Sequence, residues 1–202
     1  MEKFDFTGGK KILLASASPR RRELLGLLDA EVEMAPLREV DESYPATLAP
    51  EEVPAFISRR KAEAYAGVLQ PDEVLVTADT VVISDGAVLG KPADESEAAV
   101  MLERLSGRVH KVVTGVTLFC GSESETFSEE TLVEFAPLER DEIDHYLRCY
   151  RPLDKAGAYG IQEWIGFIGV KGITGDYYNV MGLPVHALYR RLRQLCGASA
   201  SR

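Results

Sequence analysis

Two serines and a run of arginines stand where a short apolar segment meets a sequence that favours the start of a helix. The apolar segment is KILLA at 11–15, and SASPRRR at 16–22 follows it. A helix N-terminus offers unpaired backbone N–H groups and a partial positive charge, and arginine binds phosphate oxygens through a fork of hydrogen bonds. Ser16, Arg20 and Arg21 are therefore candidates for holding a phosphate chain. An ordinary capped helix whose arginines face water is the alternative.

Carboxylates that could hold a divalent cation or accept a proton lie in two separate segments. Asp79 interrupts the apolar, β-branched run VLVTADTVVI at 74–83, and the pair Asp41 and Glu42 lies in an acidic loop upstream. A carboxylate in an apolar run is costly to bury unless it binds a metal, a proton donor or a cation. Mg²⁺ is typically held by one or two carboxylates together with substrate phosphates. The alternatives are a local turn at Asp79 and a solvated acidic turn at the pair.

Two lysines and a glutamine complete the set of polar candidates. Lys91 lies in a rigid GKP turn and Lys61 on a predicted helix, and either ammonium could pair with a phosphate. Gln162 ends the glycine-rich stretch DKAGAYGIQ, and its amide could read a nucleobase edge because it both donates and accepts hydrogen bonds. A solvated helix lysine and a turn-rich connector are the alternatives. The three histidines lack the spacing of metal ligands, and no Walker A, GxGxxG, GxSxG or HExxH motif occurs.

The elements that must position these residues alternate between strands and helices. An Asp-Gly pair at 85–86 predicts a hairpin turn, and the glycine-dense segment 154–183 predicts loops and short strands. The intermingling of the two kinds of element indicates a mixed α/β fold. Strands are predicted at 11–15, 31–35, 74–83, 109–120 and 126–136, the last two as an antiparallel pair, and helices at 19–30, 52–68, 94–105, 139–149 and 184–196.

Composition limits the classes of partner and compartment. The chain has 202 residues, 46% hydrophobic, and its 23 basic against 32 acidic residues give a net charge of −9. Such an acidic protein is a poor binder of nucleic acid, because attraction to phosphates supplies most non-specific affinity. We expect no stable nucleic-acid partner, and we expect any anionic ligand to be small.

Several sequence features predict a cytoplasmic protein without a membrane anchor. The three cysteines are far apart and form no CxxC, so a disulfide framework is not expected. The first residues, MEKFDFTGGKK, lack the basic and apolar regions of a signal peptide, and no apolar run approaches the roughly 20 residues of a membrane span. We expect one domain over 1–202, with residues 1–10 and 197–202 as frayed ends.

The ordered series of these segments resembles the Maf family of nucleoside triphosphate pyrophosphatases, also called septum-formation inhibitor proteins. The series is SASPRRRELL, VDE, SRRKAEA, ADTVV, LGKP, LSGRVHKVVTGV, DKAGAYGIQ and finally NVMGLPV at 179–185. The resemblance implies a mixed α/β fold of the ITPase/Maf-like kind, with a twisted central mixed sheet, helices, and two lobes around a cleft. It also implies a hydrolase of acid anhydrides that uses Mg²⁺ or Mn²⁺ to convert a nucleoside triphosphate to the monophosphate and pyrophosphate.

The resemblance also implies a role for individual residues. Asp79 is the proton acceptor, and together with Glu42 it binds the metal. The phosphate chain is expected to contact five side chains: Ser16, Arg20, Arg21, Lys61 and Lys91.

Three positions indicate the subtype. Arg20, Thr80 and Gln162 match the type that acts on dTTP and UTP, whereas the 7-methyl-GTP type carries tryptophan, glutamine and glutamate there. Glu163, followed by Trp164, departs from the glycine that commonly follows the glutamine. The departure concerns the shape of the base pocket and not the chemistry.

Two other functions remain as alternatives. One is a pyrophosphatase with a different base preference, of the 7-methyl-GTP or ITP type. The other is a nucleotide-binding regulator of septum formation without significant catalysis. The biological purpose would be removal of modified nucleotides or arrest of division, and the resemblance is compatible with a homodimer.

Overall fold

Residues 4–196 are described in the computed structural model of the chain. The mixed α/β class predicted from the sequence is confirmed. The strands are β1 (Lys11–Leu14), β2 (Val32–Met34), β3 (Glu73–Ser84), β4 (Ala87–Leu89), β5 (Val109–Cys120), β6 (Glu123–Phe135) and β7 (Val170–Thr174). The α-helices are α1 (Pro19–Gly26), α2 (Val53–Glu63), α3 (Glu95–Leu105), α4 (Arg140–Tyr150), α5 (Trp164–Gly169), α6 (Tyr177–Met181) and α7 (Val185–Leu195), with short 3₁₀ turns at Pro50–Glu52 and Ala156–Ala158.

Within the described residues, seven strands form one mixed sheet. Six of them follow the order β2-β1-β3-β5-β6-β7, and β4 pairs with β3 outside this path. β1 runs parallel to both β2 and β3, whereas β4 is antiparallel to β3 and β7 is antiparallel to β6. The predicted hairpin is confirmed: Asp85 and Gly86 have φ angles of 51° and 73°, as a two-residue turn with two left-handed positions requires.

Two predicted helices end earlier than their sequence pattern indicates. α1 stops at Gly26, and the amides of Leu27 and Leu28 then bond to carbonyls three residues back. α2 stops at Glu63, and the Tyr65 amide bonds to the Ala62 carbonyl in the same way. Turns of this 3₁₀ type, with a hydrogen bond to the carbonyl three residues back, commonly finish an α-helix.

The prediction of loops and short strands for the segment 154–183 is wrong in part. It contains β7, but also the short helices α5 and α6. Glycines at helix ends and turns hid the helical pattern, since the two helices together supply too few apolar positions for a periodic signal.

The chain divides into two compact units. Within the described residues, the first comprises 4–79, Thr114–Glu129 and 182–196, and the second comprises Thr80–Val113 and Glu130–Met181. The division therefore falls inside β3, between Asp79 and Thr80. The assignment of the whole chain to one domain stays a prediction.

The start of the first unit is ordered within the described residues. Phe6 is buried, with its ring centroid 5.0 Å from that of Tyr189, and Thr7 is also buried. Lys10 donates to the Pro71 carbonyl at 2.8 Å. The expectation of a frayed end is thus wrong for this stretch, because Phe6 has apolar surface to bury. The rest of that expectation, residues 1–3 and 197–202, lies outside the described residues.

The core of the second unit forms where α3, α4 and α5 pack beside β3, β5 and β6. His110 lies inside this unit and is only 2% exposed. Its Nε2 lies 2.7 Å from the Tyr159 hydroxyl, and its ring meets those of Phe135 and Tyr159 edge-on. Burial lowers the pKa of His110 from 6.5 to about 4.

None of the described helices is long and apolar enough to cross a membrane.

The pKa of His110 predicts a loss of stability in mild acid. The unfolded chain takes up a proton at this residue below about pH 6.5, whereas the folded chain stays neutral there until about pH 4. The contribution is therefore complete above pH 6.5 and is lost as the pH falls. Between pH 7 and pH 5 the free energy of unfolding should drop by roughly 2 kcal/mol from this residue.

Urea unfolding at pH 7 and pH 5 tests this expectation. His110→Gln should lose this part of the pH dependence, whereas His186→Gln, at an exposed position of α7, should keep it. An equal pH dependence in the wild type and His110→Gln would contradict the assignment.

Candidate functional site

The corner between β1 and α1 carries the predicted helix cap. The Ser18 hydroxyl accepts from the Arg21 amide at 3.5 Å, and Pro19 occupies the first helical position. The Ser18 amide in turn donates to the Ser16 hydroxyl at 3.2 Å, and Ser16 is buried. This local network sets the direction in which the helix leaves the strand.

Arg21 does not face water as an ordinary helix arginine would. Its Nε donates to the Gly182 carbonyl at 2.8 Å, and its Nη1 donates to the Ala78 carbonyl at 2.8 Å and to the Ser16 hydroxyl at 3.3 Å. Desolvation lowers the pKa of Arg21, and the negative charge of Asp79 offsets only part of this effect. Because a guanidinium stays protonated in proteins, a fixed positive charge lies next to the Asp79 segment of β3.

Lys61 joins the two predicted carboxylates. Its Nζ lies 2.9 Å from Asp79 Oδ1 and 3.0 Å from Glu42 Oε1. The side chains of Lys61 and Asp79 are 19% and 16% exposed, whereas Glu42 is 56% exposed. The first unit thus brings Glu42 from the acidic loop and Asp79 from β3 onto one cation, the ammonium at the end of α2.

Asp41, the other member of the acidic pair, is used locally. Its carboxylate accepts from the Ser43 amide at 2.9 Å and from the Ser43 hydroxyl at 2.8 Å. These hydrogen bonds, that from the backbone first, lower the pKa of Asp41. The structure therefore separates the pair into a turn-forming Asp41 and a Glu42 that meets Asp79.

The two converging carboxylates fit a hard divalent cation. Oxygen ligands suit Mg²⁺ and Mn²⁺, and Mg²⁺ commonly takes one or two protein carboxylates and completes its shell with phosphates and water. Across residues 4–196, no group of three or more His, Cys, Asp or Glu side chains could hold a metal. Glu42 and Asp79 are thus suited to share a metal with a phosphorylated ligand, rather than to hold it within the protein alone.

The remaining predicted residues belong to the second unit or to the surface of α1. Lys91 is exposed, and Arg20 and Thr80 are half-buried. The Gly157 amide donates to the Gly90 carbonyl at 3.0 Å, which attaches the GKP turn to the DKAGAYGIQ loop. These contacts place Lys91 in a turn attached to the loop that contains Gln162.

Gln162 has a buried oxygen without a hydrogen-bond partner among the described residues. Its Oε1 is shielded from solvent and accepts no hydrogen bond from any residue of the described part of the chain. A buried acceptor without a partner costs about 1–3 kcal/mol, so such atoms call for an explanation. A bound ligand with an N–H group at this point would remove that cost.

Some of the site could not be identified from residue types. The carbonyls of Ala78 and Gly182 fix Arg21, but any residue carries a carbonyl, so no sequence signal marks them. Tyr146 and Glu163 also make contacts near Gln162 that their residue types do not indicate. For Glu163 a signal existed, since it was recognised as a departure from the usual glycine.

Comparison with known proteins identifies the family of the chain. The profile of the Maf-like protein family matches residues 11–195. A protein of Porphyromonas gingivalis is 56% identical over 185 residues, which are 91% of this chain and 93% of the relative. Proteins of Phocaeicola vulgatus and Bacteroides fragilis are 54% and 52% identical, with 92% of this chain and 96% of each relative covered. All three relatives are named dTTP/UTP pyrophosphatase.

Solved structures share the fold at much lower sequence identity. The Ham1 protein of Staphylococcus aureus superposes with a TM-score of 0.54 at 18% identity, over 92% of this chain and 100% of that chain. A HAM1 protein from Coxiella burnetii gives 0.51 at 18% identity, over 92% and 99% of the two chains. At this identity the likeness concerns the arrangement of strands and helices alone.

Proposed function

The chain belongs to the Maf family, and from this premise we propose that it hydrolyses dTTP and UTP to the nucleoside monophosphate and pyrophosphate. Relatives named dTTP/UTP pyrophosphatase match it at 52–56% identity over more than nine-tenths of its length. The structural observation that carries the proposal is the position of Lys61 between Glu42 and Asp79. Two carboxylates and a fixed arginine close together provide both a cation position and a proton acceptor.

The reaction is an attack of water on the α-phosphorus. An oxygen of water forms a bond to this phosphorus while the bond to the oxygen bridging the α- and β-phosphates breaks. Pyrophosphate leaves with the electron pair, and the Asp79 carboxylate takes the proton of the water. Phosphoryl transfer is mostly positioning and electrostatic stabilisation, so the surrounding charges decide the rate.

Positive groups stabilise the phosphates. Glu42 and Asp79 would hold a Mg²⁺ or Mn²⁺ ion, which supplies positive charge to the phosphate oxygens when bound. Arg21 contributes a guanidinium that is already fixed by three protein acceptors. A preorganised charge costs little reorganisation as charge develops on the leaving group. The remaining proposed phosphate contacts are Ser16, Arg20, Lys61 and Lys91.

Base preference is proposed to depend on Gln162, with Arg20 and Thr80. Uracil and thymine carry a hydrogen on N3, whereas N3 of cytosine has a lone pair instead. The buried Oε1 of Gln162 can accept a hydrogen bond from the N3–H of uracil or thymine, whereas N3 of cytosine offers it no hydrogen. Rejection of a base that leaves a buried acceptor unpaired is a strong form of selectivity.

Gln162→Glu should change the base preference. The carboxylate keeps an acceptor for N3–H but loses the amide donor that pairs with a pyrimidine carbonyl. We expect kcat/KM for dTTP to fall about 10–100-fold, and the ratio of 7-methyl-GTP to dTTP hydrolysis to rise. Steady-state kinetics with both nucleotides measure this. Gln194→Glu, at an exposed position of α7, adds the same charge and should leave the ratio unchanged; a Gln162→Glu protein with the wild-type ratio would remove Gln162 from this role.

A panel of triphosphates tests the proposed function. The purified protein is incubated with Mg²⁺ and dTTP, UTP, CTP, 7-methyl-GTP or ITP, and pyrophosphate and orthophosphate are measured separately. Pyrophosphate from dTTP and UTP is the expected product. Pyrophosphate mainly from another base would keep the chemistry and reject the base assignment. Bound nucleotide without any product would instead support the regulator of septum formation.

Three further expectations accompany this function as proposals. They are a cytoplasmic location, a homodimer, and a role in removing modified nucleotides or arresting division. Light scattering of the purified protein tests the homodimer directly.

A further inference from the structure

Glu163 stands at the start of α5, yet its side chain does not cap that helix. It is the N-cap residue with extended backbone angles, and its carboxylate makes no hydrogen bond to the helix amides. Instead Oε2 accepts from the Tyr146 hydroxyl, and Oε1 lies 3.1 Å from Lys155 Nζ. A carboxylate that gives up a favourable cap must be held by stronger partners.

Both partners are buried, so water does not readily replace the carboxylate as their hydrogen-bond partner. The Lys155 side chain is 8% exposed, and Tyr146 is fully buried. Burial and the hydrogen bond to Glu163 raise the pKa of the Tyr146 phenol, so it remains a donor. Lys155 has a second carboxylate, Asp154, at 2.7 Å. Loss of Glu163 would therefore leave the phenol without its acceptor and Lys155 with its more exposed partner alone.

The same groups hold the backbone just before Gln162. The Gly160 amide donates to the Tyr146 hydroxyl at 3.1 Å, and the Glu163 amide donates to the Gly160 carbonyl at 2.9 Å. A Cβ at Gly160 would lie 2.8 Å from Glu163 Cδ, so any larger residue there would displace the Glu163 carboxylate. Gln162 thus lies between Gly160 and Glu163, two points fixed by one network.

Packing and a backbone hydrogen bond also hold the loop, since Tyr159 and Ile161 are buried in the core of the second unit and the Gly157 amide donates to the Gly90 carbonyl. Between Lys155 and Gln162 its sequence is AGAYGI, in which four of the six residues are glycine or alanine. The other two are Tyr159, whose hydroxyl contacts His110 on β5 rather than Gln162, and the buried Ile161. The buried Oε1 of Gln162 must nevertheless be aimed within a few tenths of an ångström to select a base.

We propose that Glu163 is a positioning residue that sets base selectivity by fixing the Gln162 loop through Lys155 and Tyr146. Its effect is transmitted through the loop backbone, without contact with the nucleotide. The departure from glycine at this position then has a function: the carboxylate gives the Gln162 side chain a defined orientation. The proposal rests on the pyrophosphatase activity proposed above.

The test compares base selectivity in two variants that weaken the network at different points. Glu163→Gln keeps an acceptor for Tyr146 but removes the charge that pairs with Lys155. Tyr146→Phe removes the hydroxyl that links the carboxylate to Gly160. Both should lower the ratio of kcat/KM for dTTP over CTP about 10-fold, mainly through a higher KM for dTTP, with kcat within about threefold of the wild type. Glu163→Asp should recover part of the ratio, and Glu123→Gln, an exposed position of β6, should not alter it.

A double-mutant cycle separates positioning from general loss of structure. In a Gln162→Ala background, Glu163→Gln should produce no further change in the base ratio, because the group that it positions is gone. An unchanged ratio in both folded single variants, or equal effects of Glu163→Gln with and without Gln162, would overturn the proposal. Should Glu163→Gln not fold, Tyr146→Phe in the same cycle gives the answer. A wild type that releases no pyrophosphate from any triphosphate would reject the proposed function itself, a different result.

Discussion

Replacing Asp79 with asparagine should lower kcat for dTTP hydrolysis by about 10³-fold or more, while KM changes only a few-fold. The amide has the size of the carboxylate but cannot take a proton from the attacking water. The substitution also removes one of the two negative charges that meet at Lys61, so a cation beside Glu42 is bound less tightly. Because the proton moves only as the water attacks, loss of the acceptor falls on the transition state more than on binding of the substrate.

Rates of pyrophosphate release at saturating dTTP measure this effect. Asp41→Asn is a matched control, because Asp41 is an exposed carboxylate of the acidic loop that serves a local turn with Ser43. That variant should retain activity within a few-fold of the wild type. Near-normal kcat in Asp79→Asn would remove Asp79 from the role of proton acceptor.

Replacing Arg21 with lysine should lower kcat/KM for dTTP by about 100-fold. A lysine keeps the charge but cannot bond at once to the Gly182 carbonyl, the Ala78 carbonyl and the Ser16 hydroxyl, as Arg21 does. Its ammonium would therefore take other positions, and a charge that must be reoriented stabilises the leaving phosphates less.

The neighbouring arginine provides the control for this prediction. Arg22 is exposed on the same turn of α1, so Arg22→Lys should leave kcat/KM close to the wild-type value. Thermal melting of both variants separates catalysis from stability. Equal activities of the two folded variants would show that the fixed guanidinium is not needed for the reaction.

Local structure follows directly from the sequence where residue type alone decides it. The β-branched run around Asp79 forms β3, the Asp85-Gly86 pair makes the hairpin to β4, and the Ser18-Pro19 pair starts α1. Each of these follows from a backbone preference of the residues themselves. The motif segments were also sufficient to identify the family.

The arrangement of the site depended on contacts that residue types do not specify. Asp41 and Glu42 are adjacent acids with the same chemistry, and only the structure shows that Glu42 shares Lys61 with Asp79. Arg21 could have faced water, and it is held instead by backbone carbonyls that any residue would provide. The Glu163 network joins Tyr146 of α4, Lys155 of the glycine-rich loop and the residue at the start of α5. No local sequence pattern indicates that these three side chains meet.

The position of the attacked phosphorus is the central chemical claim, and isotope labelling tests it most directly. The wild-type protein hydrolyses dTTP with Mg²⁺ in water enriched in ¹⁸O, and the products are analysed by mass spectrometry. Attack at the α-phosphorus predicts one ¹⁸O atom in dTMP and none in the released pyrophosphate. Label in pyrophosphate would place the attack at the β-phosphorus, and labelled orthophosphate with dTDP would place it at the γ-phosphorus; either result would contradict the reaction proposed for Asp79 and its neighbours.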